Sequence, residues 1–367
     1  MPPLSVMVKP ASSLCNMRCR YCFYGDVADS RRVKSFGIMQ AHTAENLVRK
    51  TLAFADGCSV AFAFQGGEPL LVGLDYFKHF VALVERYNTK NSPIFYGLQT
   101  NGTLLSDEWA QFFRTHRFLI GLSLDGDLQG NRFRLDADGS NAYRKIMDGA
   151  EILKKHGVDV NILTVLTGAC ADRIDEVYKA LTAKGFKYLQ FIPCLRPFGE
   201  TADNEMTLTV RQYAKYLIHG FNAYVKDYVR GDYTSVRYFD NLVQLYLGNS
   251  PEQCGMCGHC MHQFVAEGNG NIYPCDFYCT DEWLLGNIND SDLNTLAHSQ
   301  RATDFLKRSI QTPEKCKACR YYPLCRSGGC YRQQSDRDYC EAYKAFFSAC
   351  LPLFRVFAAG EAHHCKR

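Results

Sequence analysis

The chain of 367 residues is long enough for two or three domains, and its hydrophobic content of 47% is that of a protein with buried cores rather than a disordered one. Its 42 basic and 38 acidic residues leave a net charge of +4 with no long block of one sign, so bulk electrostatics argue for neither nucleic acid nor a membrane surface. No apolar run approaches the roughly 20 residues of a membrane span, and the start MPPLSVMVKP lacks the order of a signal peptide, so a cytoplasmic protein is expected.

In chain order, residues 4–8 read as a short strand, a cysteine loop runs to Tyr24, and residues 43–55 read as an amphipathic helix. The same order recurs with VAFAF (60–64) before a helix near 75–87, and IFYGLQT (94–100) before one near 107–115. FLIGLSL (118–124), VDVNILTV (158–165) and YLQFI (188–192) alternate with helical stretches at 142–156 and 172–184. Six strand and helix units of this kind predict an α/β layer structure with a parallel sheet and right-handed crossovers, its site at the C-terminal ends of the strands. QGGEP (65–69), QTNGT (99–103) and SLDG (123–126) fall at those ends.

Beyond Pro193 come a polar connector, a helix near 210–229 and a second near 238–247, and then a cysteine-rich region in which QFVAEGNGNIYPC (263–275) reads as a hairpin around a Gly-Asn-Gly turn. Eighteen cysteines in a chain of this size without an export signal point to metal ligation rather than to disulfides. They crowd at 15–22 and 254–340, which implies two metal regions, while Cys58, Cys170 and Cys194 are expected to be ordinary buried thiols.

The CxxxCxxC spacing of Cys15, Cys19 and Cys22 puts three soft thiolates on one tight loop, and a cubane cluster held by three cysteines keeps one iron without a protein ligand. That iron could bind S-adenosylmethionine, whose one-electron cleavage releases a carbon radical. A zinc site or a redox pair is the other chemistry such a spacing allows. CNMRCRYCFY after the first strand, with GGEP after the second, resembles the radical S-adenosylmethionine superfamily, which implies a partial (β/α)6 barrel. The resemblance gives the backbone of Gly66, Gly67 and Glu68 to the methionine moiety of the cofactor and makes Ser123 a cofactor contact.

Cys254, Cys260, Cys275, Cys316, Cys319, Cys325, Cys330 and Cys340 resemble a SPASM domain with auxiliary 4Fe-4S clusters. By that resemblance Cys254, Cys260, Cys275 and Cys330 hold one cluster and Cys316, Cys319, Cys325 and Cys340 the other, giving three 4Fe-4S clusters with the N-terminal one. CRSGGC departs from the family by one extra residue, and Cys257 or Cys279 could replace a neighbouring ligand; zinc is the alternative metal for the C-terminal knuckle. The expected domains are a radical S-adenosylmethionine barrel over 1–230, a SPASM domain over 231–350 and a tail over 351–367. Such clusters suggest an anaerobic setting.

VKPASS, QGGEP, LQTNGT, RYFD (237–240) and YPCDFY (273–278) carry the resemblance further, to the anaerobic sulfatase-maturating enzymes. It implies oxidation of a cysteine or serine in an unfolded sulfatase segment to Cα-formylglycine, with S-adenosylmethionine consumed to 5′-deoxyadenosine and methionine. Asp276 matches the family's proposed general base, and Tyr24 and Gln65 match active-site neighbours. Arg237 and Asp240 are candidate contacts to the peptide backbone, with a surface ion pair as the alternative. His42, His363, His364 and Cys365 are expected at the surface. The implied partners are a peptide with a Cys/Ser-x-Pro-x-Arg motif and a small electron donor such as flavodoxin or ferredoxin, acting on a monomer. Two rival readings remain: a maturase forming thioether or carbon links in ribosomal peptides, for which the residues before Cys15 are too few to hold the usual peptide-binding domain, and a non-catalytic zinc or redox scaffold.

Overall fold

The computed structural model describes residues 4–358; His363, His364 and Cys365 lie outside the described residues. Ten strands run in chain order: β1 (Leu4–Val8), β2 (Val60–Phe64), β3 (Ile94–Thr100), β4 (Phe118–Ser123), β5 (Asp159–Leu166), β6 (Tyr188–Pro193), β7 (Ser235–Val236), β8 (Val265–Ala266), β9 (Asn271–Tyr273) and β10 (Gly286–Asn287). The contacts divide the chain into two compact units. One takes the chain through Ser123 with Phe133–Val160 and Met261–Lys307, the other Leu124–Arg132, Asn161–Cys260 and the chain from Arg308 on.

In the first unit β1, β2, β3 and β4 pair in parallel, with Val8 opposite Phe64 and Phe64 opposite Leu98. The helices Ala41–Ala55, Leu74–Tyr87 and Asp107–Thr115 make the crossovers, as the alternation of strand and helix signals predicts. Alternate residues of β2, Val60, Phe62 and Phe64, are buried. Phe64 meets Phe77 and Phe80 at ring-centroid distances of 4.9 Å each, so the period of two in the strand turns one face toward helical aromatic side chains.

The hairpin forms where the sequence places it, with Val265 opposite Tyr273. Its first strand, however, pairs in parallel with β1, Met7 opposite Val265 and Val8 opposite Ala266. Phe264, Ala266, Ile272, Ile288 and Leu293 therefore share the core of Val6, Val8 and Phe62. Helix Ala41–Ala55 fastens the segment after the hairpin through Lys50 Nζ, which donates to the carbonyls of Ile288 (2.5 Å) and Ser291 (3.0 Å).

In the second unit β5, β6 and β7 pair in parallel. The helix expected at 172–184 forms as Ile174–Thr182, and a short helix, Gly168–Asp172, precedes it, separated by Arg173 at φ −115° and ψ 27°. The long helix Val210–Arg230 carries a capping box, Thr209 with Gln212, and ends on Gly231 in the left-handed conformation. The start of the expected tail is packed: the helix Cys340–Cys350 continues into Leu351–Phe354, with Phe354 at 4.5 Å from Phe221 and Phe357 at 4.5 Å from Tyr228.

Cys170 and Cys194 are buried as expected, but Cys58 is exposed. It sits on the turn after helix Ala41–Ala55, where Asp56 and Gly57 are left-handed and the chain reverses at the surface toward β2. Truncating Phe64 to alanine is expected to cost about 3 to 5 kcal/mol in urea unfolding; a loss below about 1 kcal/mol would show that the aromatic layer over β2 does not set the stability of this unit.

Candidate active site and cysteine clusters

The loops that leave β1, β2 and β3 meet at the C-terminal ends of those strands. Gly67 N–H donates to the Ser12 carbonyl (2.8 Å) and Glu68 N–H to the Leu14 carbonyl (2.7 Å), so the GGEP loop grips the cysteine loop by its backbone. On its other side Arg18 N–H donates to Leu135 (2.7 Å) and Arg20 N–H to Phe133 (3.0 Å). The approach requires glycine: a Cβ on Gly67 would lie 1.9 Å from the Leu14 carbonyl oxygen, and Gly66 combines a φ of +117° with a Cβ position 2.7 Å from the Ser12 oxygen. The glycines expected to admit the cofactor thus first admit the neighbouring loop.

Glu68 is fully buried, and its carboxylate accepts from Asn101 N–H (2.8 Å), Thr100 Oγ1 (2.8 Å) and Leu70 N–H (3.1 Å). Burial pushes it up to about 7, against the pull of those three donors. Its side chain is committed to binding the GGEP loop to the end of β3. Asn101 donates to Asn16 Oδ1 (2.9 Å) and Asn16 to Thr103 Oγ1 (2.8 Å), which ties QTNGT to the cysteine loop. Cys15 and Cys19 are half-buried and Cys22 is exposed. Burial, with the charges of Glu68 and Cys22 adding to it, pushes the Cys15 thiol up to about 11, partly offset by the Met17 N–H. Thiolates crowded this way need a cationic centre to be stable, so the donor set suits an iron-sulfur cluster. Ser123 ends β4 and is buried.

Asp276 follows Cys275 and is only 7% exposed, which removes the alternative of a solvated hairpin end. Its Oδ2 lies 2.8 Å from the Tyr24 hydroxyl, which is also 2.7 Å from Gln65 Oε1. Burial and then the charge of Asp276 hold the Tyr24 hydroxyl well above the ordinary phenol range, so it stays a donor. The structure therefore brings together three residues separated by up to 252 positions. Phe23, before Tyr24, packs on Phe277 at 4.9 Å, which seats the helix Phe23–Asp29 against the segment that carries Asp276.

The sequence reading missed a buried charged group beside them. Lys9 Nζ lies 2.9 Å from Asp276 Oδ1, 3.8 Å from Glu267 Oε1 and 3.3 Å from Cys279 Sγ, and Glu267 is also paired with Arg31 at 2.7 Å. Burial opposes the Lys9 charge, but Asp276, Cys279 and Glu267 outweigh it and raise the lysine above its usual range. Glu267 is held below the usual carboxylate range: burial pushes it up, but Lys9 and Arg31 prevail. Cys279 is buried, pushed up to about 12 by burial against the pull of Lys9, and its thiol faces that lysine. A lysine directly after the apolar strand VMV was the signal available in the sequence.

In the second unit Cys254, Cys257, Cys260 and Cys330 influence one another, as do Cys316, Cys319, Cys325 and Cys340. The Cys254 thiol is pushed up to about 11, by burial first and then by the charges of Cys330, Cys260 and Cys257. The Cys325 thiol is pushed up to about 12, by burial and then by Cys316, Cys340 and Cys319. Among the described residues no three His, Cys, Asp or Glu side chains converge as ligands of a single ion. The extra residue in CRSGGC is absorbed by a run of four left-handed residues, Arg326 to Gly329, with φ of 45°, 72°, 91° and 95°. Asp240 accepts from the hydroxyls of Tyr224 (2.8 Å), Tyr233 (2.5 Å) and Ser235 (2.5 Å), so its carboxylate is occupied within the unit, and Arg237 reaches Gln190 at 3.3 Å. His42 is exposed.

Residues 10–181 match the family model of the radical SAM superfamily and residues 254–320 that of an iron-sulfur cluster-binding domain, SPASM. The chain is 42% identical to the cysteine-type anaerobic sulfatase-maturating enzyme of Clostridium novyi, over 95% of each chain. It is 29% identical to the serine-type enzyme of Bacteroides thetaiotaomicron, over 95% of this chain and 90% of that one. A solved structure described as native anSMEcpe with bound AdoMet and Cp18Cys peptide superposes with a TM-score of 0.92 at 40% identity, covering 98% of this chain and 99% of that chain. The fold is the α/β partial barrel of a radical S-adenosylmethionine enzyme with a C-terminal SPASM domain, an oxidoreductase that carries iron-sulfur clusters. Within that class, the chain belongs to the anaerobic sulfatase-maturating enzymes.

Gly67→Ala is expected to displace the cysteine loop, lowering the iron bound per chain and abolishing 5′-deoxyadenosine formation while far-ultraviolet circular dichroism stays unchanged. Cleavage at the wild-type rate would mean that the loop does not need the close approach at Leu14.

Proposed function

We propose that this chain oxidises the cysteine of a Cys-x-Pro-x-Arg segment in an unfolded sulfatase to Cα-formylglycine. The cysteine preference is supported by the 42% identity to a cysteine-type enzyme against 29% to a serine-type one. The observation that carries the reading is the meeting of Tyr24, Gln65 and Asp276 at the strand ends from which the three-cysteine loop departs.

Cys15, Cys19 and Cys22 would hold the N-terminal cluster, and the backbone at Gly66 and Gly67, with Ser123, would receive S-adenosylmethionine. When bound, these groups supply one-electron cleavage of the cofactor to methionine and a radical that takes a hydrogen atom from the substrate. Turning a cysteine side chain into an aldehyde removes two electrons and two hydrogens and exchanges sulfur for oxygen from water: one hydrogen atom goes to that radical, the thiol proton to the protein's base, the second electron would pass to an auxiliary cluster, and the sulfur leaves as hydrogen sulfide. Asp276 accepts the proton of the substrate thiol, a task that suits a carboxylate held near the reacting carbon. The protonated Tyr24 orients Asp276 through Oδ2, and Gln65 orients Tyr24.

Cys254, Cys260, Cys275 and Cys330 would hold one auxiliary cluster and Cys316, Cys319, Cys325 and Cys340 the second. The grouping of Cys254 with Cys260 and Cys330, and of Cys325 with Cys316, Cys319 and Cys340, is supported by their mutual charge effects. Cys279 is directed at Lys9 and is not assigned as a ligand, whereas Cys257 stays within the field of Cys254. The chain would act as a cytoplasmic monomer and draw its electrons from a small carrier such as flavodoxin or ferredoxin. No helix of the described residues is long and apolar enough to cross a membrane.

Anaerobically reconstituted protein is expected to bind roughly eleven to twelve irons per chain with matching sulfide; zinc without sulfide would reject the cluster assignment. With a Cys-x-Pro-x-Arg peptide, mass spectrometry should record the mass change of aldehyde formation. An intact peptide alongside continuing cofactor cleavage would shift the reading to another class of peptide maturase. Asp276→Asn should lower peptide oxidation by about 100-fold or more while slowing cofactor cleavage far less, and undiminished oxidation would remove the base role.

A further inference from the structure

The roles given above to the cluster and cofactor residues leave Lys9 unused, yet it is among the most deeply buried charged side chains, at 2% exposure. A buried lysine persists only where partners compensate the lost hydration. Here the partners form a neutral set of two cations, Lys9 and Arg31, and two anions, Asp276 and Glu267. The Lys9 ammonium also lies 4.8 Å from the centre of the Tyr24 ring.

Asp276 is engaged at both oxygens, Oδ2 by a hydrogen bond from the Tyr24 hydroxyl at 2.8 Å and Oδ1 by an ion pair with Lys9 at 2.9 Å, and the two contacts together limit the rotation of the carboxylate about its stem. Lys9 in turn is anchored from two sides: its own N–H donates to the Ala266 carbonyl at 2.8 Å, and its ammonium faces Glu267, whose other cation is Arg31. Strand pairing of β1 with β8 and the Arg31–Glu267 pair thus bear on one carboxylate.

We propose that Lys9 is a positioning residue for peptide oxidation, holding Asp276 Oδ1 so that the carboxylate meets the substrate in one orientation, with Glu267 and Arg31 bracing the lysine. The proposal rests on the reading of Asp276 as the base. Loss of the lysine leaves the carboxylate tethered only through Tyr24, free to turn away from the substrate while the cofactor is still consumed.

The test uses reconstituted holoenzyme with a Cys-x-Pro-x-Arg peptide and reads formylglycine formed per 5′-deoxyadenosine released. Lys9→Met is expected to lower that ratio at least about tenfold through kcat, with the peptide KM changed by no more than about threefold. The double variant Lys9→Met/Glu267→Gln keeps the buried set neutral, with Arg31 and Asp276 as its remaining ions, so it carries the test where the single variant fails to fold, and it should show the same loss. Lys9→Arg should restore part of the ratio. Added to Asp276→Asn, Lys9→Met should cause no further loss, since both act through one carboxylate. A wild-type ratio in the double variant overturns the proposal. So does a parallel fall of oxidation and cofactor cleavage that follows the thermal midpoint, which would mark a structural role only. If Asp276→Asn itself keeps the wild-type ratio, the base reading fails; if Asp276→Asn uncouples the reactions and the Lys9 variants do not, the role of Lys9 alone fails.

Discussion

Two residues of β8, Val265 and Ala266, lie parallel to Met7 and Val8 of β1, and the position of the chemistry follows from that short pairing. It moves a segment some 250 positions away along the chain onto the edge of the N-terminal sheet, where Ile272, Ile288 and Leu293 join the core built on β1 and β2. The hairpin is short, so its register is fixed less by its own hydrogen bonds than by apolar burial on one face, where a slip of one residue would turn every side chain over. Asp276, shortly after β9, lies within reach of Lys9 and Tyr24, which follow the end of β1 and the cysteine loop.

The same sheet edge gathers charge. Four ionised groups are buried together, and burying any of them alone would cost several kcal/mol; as two cations and two anions they offset one another, and the arrangement is stable only as a set. Within that set Asp276 meets a cation at one oxygen and a hydroxyl at the other. Tyr24 belongs to it through its hydroxyl and through the face of its ring.

The cysteine loop is shaped by backbone contacts rather than by its side chains. Gly66 and Gly67 admit the carbonyls of Ser12 and Leu14, and the fully buried carboxylate of Glu68 locks that junction to β3. In the second unit the problem is electrostatic: thiols are crowded and partly desolvated around Cys254 and around Cys325, and each raises the cost of ionising the others. Arg326 and Ser327, left-handed without being glycine, carry a strain of roughly 1 kcal/mol or more each to bring the chain round before Cys330.

Periodicity alone set the six parallel strands and most of the helices, because an apolar alternation of two or of 3.6 residues is a local property. The three-cysteine loop and the GGEP motif were equally legible, since their chemistry depends on spacing within a few residues. The exposure of Cys58 was not, since a thiol on a tight turn is decided by what surrounds it. Resemblance pointed to Asp276, Tyr24 and Gln65, but their meeting, and the roles of Lys9, Glu267 and Arg31, depend on β8 pairing with β1. Parallel pairing of residues so far apart leaves no periodic signature in the chain, and a buried lysine differs from a surface one only through the partners that tertiary structure supplies. The sequence determined the cofactor chemistry; the tertiary structure decided which side chains surround Asp276 and why they can be charged there.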